Sequence, residues 1–496
     1  MRFPKNQRTG LEHQAPNPKI EIFTRGNPSE SDTTYSADPL AGVGSKLLSY
    51  TFSEAVDDLE GWFSFSVVND EMGDGVMSAF DVIPLRSVVK IYEGSEQPAF
   101  IGIIRRRHLG KAMTSQGIKQ SITFSGKSII SCITEYAVSL DVRIQGVMGF
   151  ESKTMELTIE LARDDLTIKN FMIKTWKHFK KTSERAGIST TGLADIINKF
   201  IGGGDPGNFI EVHGKETKFR YNIACAFYSA TNNLIADVWR NILPEKVYEL
   251  FSRCSNGEPK IVARQVPFNP DEWSALDIYE ISPLSLINYD LDQNDEEVYT
   301  AFASYIIGSA MSREFYLAVN QPGDDSIVKH YEEKQRIYGF RPLELDFHGY
   351  DRKGNVNGEE RDKLTKALKE LNEMAAYWYS RLDEMYSGSI TVITDFNKPE
   401  TNPKAGCRAD FLGCEFYIDK AEHAWSYGGT PTIKLTVSRG ASYSFHGDMH
   451  QGMIIPIGMK NREFIEGYVP AVEIVGFRPA EGYVPAVEIV DFRPAK

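Results

Sequence analysis

Between Phe416 and Gly440 the chain alternates apolar and polar residues on either side of a short turn-forming run. Phe416 and Ile418 lead in, Ile433, Leu435 and Val437 lead out, and Tyr427-Gly428-Gly429-Thr430-Pro431 lies between them. Successive side chains of a strand point to opposite faces, so this pattern predicts a β-hairpin with one buried face. An echo lies far upstream. Phe100-Ile101-Gly102-Ile103, followed by Ile118-Lys119 and Thr123-Phe124-Ser125-Gly126, repeats the order of Phe416-Tyr417-Ile418, followed by Ile433-Lys434 and Thr436-Val437-Ser438-Arg439-Gly440. Two copies of one hairpin imply a duplicated β unit.

In chain order, residues 1–18 read as an N-terminal arm. Strand signals follow at Ile20–Phe23, Leu47–Ala55, Trp62–Val68, Val88–Gly94, Phe100–Arg106 and Ile118–Gly126. Short polar turns between them predict an antiparallel barrel or sandwich, and a first β domain, taken as a barrel, is placed at 19–135. Residues 136–275 change period and read as an α/β insertion domain. Asp165–Lys181 and Thr191–Phe200 carry apolar residues at helical spacing, and Ser229–Phe251 begins as a helix that ends near Pro244. The run Gly202–Gly207 lacks the Lys-Ser/Thr of a phosphate loop and reads as a linker. A second β-barrel domain spans 276–445, with strands at Val298–Ile306 and Ser389–Phe396 and a helix at 359–386 inserted between them. That helix carries the stripe Leu364, Leu368, Leu371, Ala375, Trp378, Leu382, Met385. The fold class is therefore α+β, mainly β, with two antiparallel barrels, an inserted α/β region and a long helix.

Residues 446–496 form a C-terminal extension. It holds a tandem repeat, Glu466–Ala480 and Glu481–Ala495, differing only at Gly476 and Asp491. Val472 and Ile474 in one copy, and Val487 and Ile489 in the other, alternate with polar residues between prolines that confine them to short edge strands. Edge strands recruit partners, so these four residues are candidate interface positions.

Composition narrows the function. A formal net charge of -13 disfavours a surface dedicated to sequence-specific nucleic acid, which needs clustered Lys and Arg. The run Lys174–Lys181 interleaves lysines with aromatics, but as a helix it buries the aromatics and solvates the lysines. No window reaches the roughly 20 apolar residues of a membrane span, and the first residues lack the apolar core of a signal peptide. Five cysteines, Cys132, Cys225, Cys254, Cys407 and Cys414, without a C-x-x-C pair argue against a disulfide framework or a zinc knuckle. Asp290-Leu291-Asp292-Gln293-Asn294-Asp295 mimics the start of a calcium loop, yet lacks its glycine and its bidentate glutamate, and reads as an acidic loop. His446, Asp448 and His450 have metal-like spacing without a fourth ligand. No catalytic motif, metal site or cofactor site is assigned.

Both hairpins and several intervening motifs resemble the baseplate hub proteins of contractile phage tails, the late-control-D type. The likeness is carried by LSYTFS, WFSFSV, VVKIYEG, FIGII and ITFSGKSI in order, then Glu249-Leu250-Phe251, Arg264-Gln265-Val266-Pro267-Phe268 and Trp273, then the closing hairpin with Tyr417, His423 and Ser438-Arg439-Gly440. Gly102, Gly126, Glu249, Phe251, Pro267, Phe268, Trp273, Tyr417, His423, Arg439 and Gly440 are the family-motif positions, expected to be structural. His423 is expected to bond a neighbouring backbone group. The resemblance implies two tail-tube-like barrels per chain and a homotrimer forming a pseudo-six-fold adaptor between tail tube and three-fold spike. It implies a virion baseplate location after assembly in the host cytoplasm, and the spike, tail tube, tape-measure and other baseplate proteins as partners. A non-enzymatic structural role is expected; the alternative is a tail-associated peptidoglycan hydrolase.

Overall fold

The computed structural model describes residues 18–25, 35–37, 47–68, 83–114, 117–135, 167–185, 191–213, 234–243, 245–268, 270–307, 328–348, 369, 372–376 and 378–442. The C-terminal repeat with Val472, Ile474, Val487 and Ile489, the His446–His450 cluster and Cys225 lie outside them. The described part is mainly antiparallel β structure.

Seven strands come first: β1 (Lys19–Arg25), β2 (Tyr35–Ala37), β3 (Leu47–Ala55), β4 (Asp58–Val68), β5 (Val88–Tyr92), β6 (Phe100–Thr114) and β7 (Gly117–Ser128). Alternation decides their faces. In β4, Phe63, Phe65 and Val67 are buried while the residues between them are not, and they pack with Phe52, Phe100 and Phe124 in one aromatic core. The neighbour order is β3-β4-β7-β6-β5-β1, with β2 beyond β1.

A small sheet follows, β8 (Ile210–His213), β9 (Tyr248–Ser255) and β10 (Glu258–Gln265), in the order β8-β10-β9. The helices Ile168–Arg185, Thr191–Phe200 and Ile235–Ile242 bury Trp176, Ile197 and Trp239 in a core shared with Ile261 and Ala263 of β10. Lys177 on the first of these helices is exposed, as a solvated lysine face requires. The Gly202–Gly207 stretch is more ordered than a linker: a 3-10 turn at Gly202–Gly204 precedes a short helix, Pro206–Phe209, capped by Asp205.

The last strands are β11 (Ile278–Glu280), β12 (Leu286–Asp292), β13 (Ala301–Ile307), β14 (Val328–His330), β15 (Pro342–His348), β16 (Tyr386–Ile393), β17 (Arg408–Phe411), β18 (Cys414–Ser426) and β19 (Thr432–Ser442). Two expectations are corrected here. Asp290 to Asp292 belong to β12 rather than to a loop, because Leu291 packs on the core beneath β16, Tyr289 sets its ring edge-on to Phe411, and the acidic residues are carried into the ladder. The helix expected to run to residue 386 gives way after Tyr379: Ser380 makes a last helical bond to Ala376, Leu382–Glu384 form a 3-10 turn, and β16 begins at Tyr386. Arg381 binds Glu384 across that turn, which a continuing helix would have left on its surface.

The doubled hairpin is matched by a doubled topology. Strands β11, β12, β16, β17, β18 and β19 neighbour one another in the order β12-β16-β19-β18-β17-β11. This is the order β3-β4-β7-β6-β5-β1 with each strand replaced by its successor in the second set. Even a bulge recurs, between Ile104 and Arg106 in β6 and between Ile418 and Lys420 in β18. Ile104 precedes Gly126 by the same number of residues as Ile418 precedes Gly440. The β1–β5 pair is antiparallel and the β11–β17 pair parallel, the one departure in strand sense. The two arrays join through β18 and β3 into a single open sheet, and among the described residues it closes no barrel.

Glycine is required where the arrays are tightest. A Cβ on Gly126 would collide with the Ile103 carbonyl oxygen, and one on Gly440 with the Phe416 ring. Backbone cannot step aside as a side chain can. Gly126→Ala is therefore expected to destabilise the chain by about 1–3 kcal/mol or more, whereas Gly110→Ala, with only ordinary contacts, should cost under about 1 kcal/mol. Urea denaturation of the two variants checks the contrast.

Candidate functional site

Two buried polar seams tie the elements together, and most of the family-motif residues lie on them. In the first seam, β9 supplies Glu249, β10 supplies Arg264 and β18 supplies Tyr417. The Arg264 guanidinium donates from Nε to Glu249 Oε2 at 2.6 Å and from Nη2 to both the Gly406 carbonyl and the Tyr417 hydroxyl at 2.7 Å. Tyr417 in turn donates to Glu249 Oε1. The guanidinium also lies over the Phe251 ring at 5.4 Å. Every charge is thus neutralised inside the network. Burial, then the neighbouring Glu249 carboxylate, holds the Tyr417 hydroxyl well above its ordinary pKa, so it stays a donor.

Beside this network Trp273 donates from Nε1 to Glu415 Oε2 at 2.8 Å, and Arg408 binds the same oxygen at 2.9 Å. Trp273, Trp378, Tyr417 and Phe268 pack as one aromatic group, with Trp378 edge-on to Phe268 at 5.9 Å and to Trp273 at 5.8 Å. Arg439 takes the left-handed backbone conformation at φ 57°, and its guanidinium lies 4.3 Å from the centroid of Trp378. That conformation matches the irregular register in which β19 advances from Val437 to Gly440 while β16 advances only from Gly388 to Tyr386. Pro267 lines a cleft next to the network, with Arg253, Arg264 and Cys407.

The second seam is the β18–β3 ladder, from Lys420 opposite Ala55 to Ser426 opposite Ser49. Here the expected backbone bond of His423 is replaced by a side-chain one. His423 Nδ1 lies 2.8 Å from Glu93 Oε2, and Tyr50 donates to Glu93 Oε1 at 2.8 Å. The imidazole stacks on Phe52 with centroids 4.3 Å apart. Glu93 stands just beyond β5, so one carboxylate is held by a residue from each array. A cleft of about 290 Å³ opens on this seam, lined by Phe52, Glu54, Pro98, Cys254 and His423. Glu54 is buried and accepts the Cys254 backbone N–H at 2.9 Å.

Of the motif positions, Glu249, Phe251, Phe268, Trp273, Tyr417 and Arg439 converge on the first seam, and His423 lies on the second. Gly102, Gly126 and Gly440 sit in the two array hairpins instead, where Gly102 and Gly126 face Phe63 and Gly440 faces Phe416. Arg408 and Glu415 were not singled out in the sequence, Trp378 was read only as part of a helical apolar stripe, and Tyr50 and Glu93 only as letters of strand motifs. The sequence reading placed Glu93 inside the strand Val88–Gly94, whereas the observed strand ends at Tyr92 and leaves Glu93 just beyond it. Only the ladder from a strand more than three hundred residues away makes it a buried acceptor.

Breaking one side of the first seam leaves a buried charge. Arg264→Met is expected to cost about 3–5 kcal/mol and Tyr417→Phe about 1–3 kcal/mol; adding Glu249→Gln to Arg264→Met should recover part of the loss. Guanidinium unfolding of the three variants measures it. Glu54 gives a separate expectation in pH. Burial raises its carboxyl above the ordinary 4.5, partly offset by the Cys254 N–H, so the folded state holds its proton where the unfolded state does not. Stability from this group is greatest below pH 4.5 and is lost as pH rises through the folded value. Glu54→Gln keeps the acceptor and should flatten that slope, melting higher than the parent at neutral pH and alike in acid.

No family model matches the chain, and no curated protein matches it. Solved structures do. A tail protein from Neisseria meningitidis is 9% identical with a TM-score of 0.45, covering 85% of this chain and 96% of its own. The 43 kDa tail protein of a Shewanella oneidensis prophage is 10% identical with a TM-score of 0.42, covering 85% and 96%. An Escherichia coli component of the type VI secretion system, itself described as similar to phage T4 tail proteins gp27 and gp5, is 7% identical with a TM-score of 0.34, covering 79% and 73%. The solved structures to which this chain is similar are thus phage-type tail proteins and a component of a secretion machine.

Proposed function

We propose that this chain is the structural hub of a contractile tail or related injection machine, a homotrimer adapting a six-fold tube to a three-fold spike. The observation that carries the proposal is the duplicated array. One chain presents two six-stranded units of the same neighbour order, joined through the β18–β3 ladder. Three such chains offer six similar units while keeping three-fold symmetry, which is what a junction between six-fold and three-fold partners needs. On this proposal the first array belongs to a tail-tube-like barrel within 19–135, the second to another within 276–445, and 136–275 is an insertion. The motif residues Glu249, Phe251, Phe268, Trp273, Tyr417 and Arg439 then have a mechanical role: they lock the insertion to the second unit. His423 locks the second unit to the first. The location is the baseplate, and the spike and tail tube are the direct partners.

Multi-angle light scattering of the purified chain, alone and with its spike, is the test. A mass of three chains in at least one sample is expected. A monomer or dimer in both would overturn the proposal.

A further inference from the structure

On the β18–β3 seam, turns from three parts of the chain meet around the cleft of about 290 Å³. Ser95 to Pro98 come from the β5–β6 turn of the first array, Asn256 and Gly257 from the β9–β10 turn of the small sheet, and Asn402 and Lys404 from the segment before β17 of the second array. The walls touch one another. A Cβ on Gly257 would lie 3.0 Å from Pro98 Cδ, and the Cys254 thiol donates to the Pro98 carbonyl at 3.2 Å. Ladder register sets the floor. Glu54 stands opposite Ala421 and Phe52 opposite His423, so Glu54 and His423 are diagonal neighbours on one face, and both line the cleft.

Each of these two floor residues is 7% exposed and keeps one acceptor unused. Glu54 Oε1 accepts the Cys254 N–H at 2.9 Å; among the described residues its Oε2 bonds nothing, and no cation pairs with either oxygen. Glu93 holds Nδ1 of His423, which leaves Nε2 of the neutral imidazole an acceptor without a donor among the described residues. A carboxylate and a ring nitrogen thus face the same space with no N–H between them. Lys404 lines the cleft too, but it makes no ion pair with Glu54 among the described residues, and Glu400 on the rim offsets its charge. The first seam shows what such a setting holds when it is filled. There the Arg264 guanidinium donates to a carboxylate, Glu249, and to a second acceptor, Tyr417, with a phenyl ring alongside.

We infer that this cleft binds one organic cation, a protonated primary amine or a guanidinium, whose N–H groups donate to Glu54 and His423 while its carbon stem lies along Phe52 and Pro98. A metal ion fits less well, because among the described residues no three His, Cys, Asp or Glu side chains gather to hold one. The volume lies near the low end of ligand pockets, room for one long side chain or a small free amine. Such a ligand touches both arrays and the small sheet at once, so its binding favours the joined arrangement. The site stands on the residues of the cleft and is independent of the hub proposal.

Calorimetric titration of the full chain with n-butylamine and with methylguanidine tests it. A dissociation constant of about a millimolar is expected for probes this small. Glu54→Gln preserves the shape of the floor, is expected to melt higher than the parent at neutral pH, and should weaken both probes at least about tenfold. Gln97→Trp blocks the mouth from an exposed position and should weaken them without touching the floor. Glu54 is faced by Cys254 and Arg253 of β9, by His423 of β18 and by Lys404. Burial holds its carboxyl above the ordinary value, so a bound cation displaces a proton, and affinity should climb with pH more steeply in the parent than in Glu54→Gln. Blocked pentapeptides with one central lysine or arginine separate the sources: binding tighter than the free probes assigns the site to a partner's side chain, weaker binding to a free amine, and both support it. Equal affinity of the parent and Glu54→Gln overturns the inference. So does the lack of any heat up to about 10 mM probe, or a response to zinc or calcium chloride in place of the amines.

Discussion

A buried carboxylate is costly unless its oxygens find donors, and Glu93 finds one in each array. Tyr50 comes from β3 and His423 from β18, and the two strands that carry them are themselves laddered. Separating the arrays would strand Glu93 with half its partners, break the β18–β3 ladder and expose Phe52 from beneath the imidazole. The continuity of the sheet across the two halves depends on this one place. It also gives β18 three strand partners among the described residues, β19 along one edge and β17 and then β3 along the other.

The Arg264 network works by the same rule at a different joint. Arg264 offers its donors to Glu249, Gly406 and Tyr417, so the small sheet of β9 and β10 is held to the second array by contacts that are polar, directional and buried. Such a network adds little net stability over a well-packed apolar substitute, but it tolerates one arrangement only. The aromatic group around Trp378 packs beside this network at the same joint.

From the sequence alone the local elements were legible wherever period carried the signal. The alternation at Leu47–Ala55 and Phe416–Gly440 marks strands because pleating separates faces every second residue, and the hairpin echo foretold the doubled array. The helix Thr191–Phe200 was legible for the same reason at its own period. The motif positions Glu249, Trp273 and Tyr417 were nameable by resemblance, but not their association. Tertiary structure alone decided that Tyr417 meets Glu249 and Arg264, that His423 turns to a carboxylate instead of a backbone group, and that Asp290 and Asp292 lie on a strand edge. Those outcomes depend on which strands become neighbours across hundreds of residues. Local propensity reports the preference of each segment for its own conformation, and carries no term for the partner that long-range pairing brings beside it.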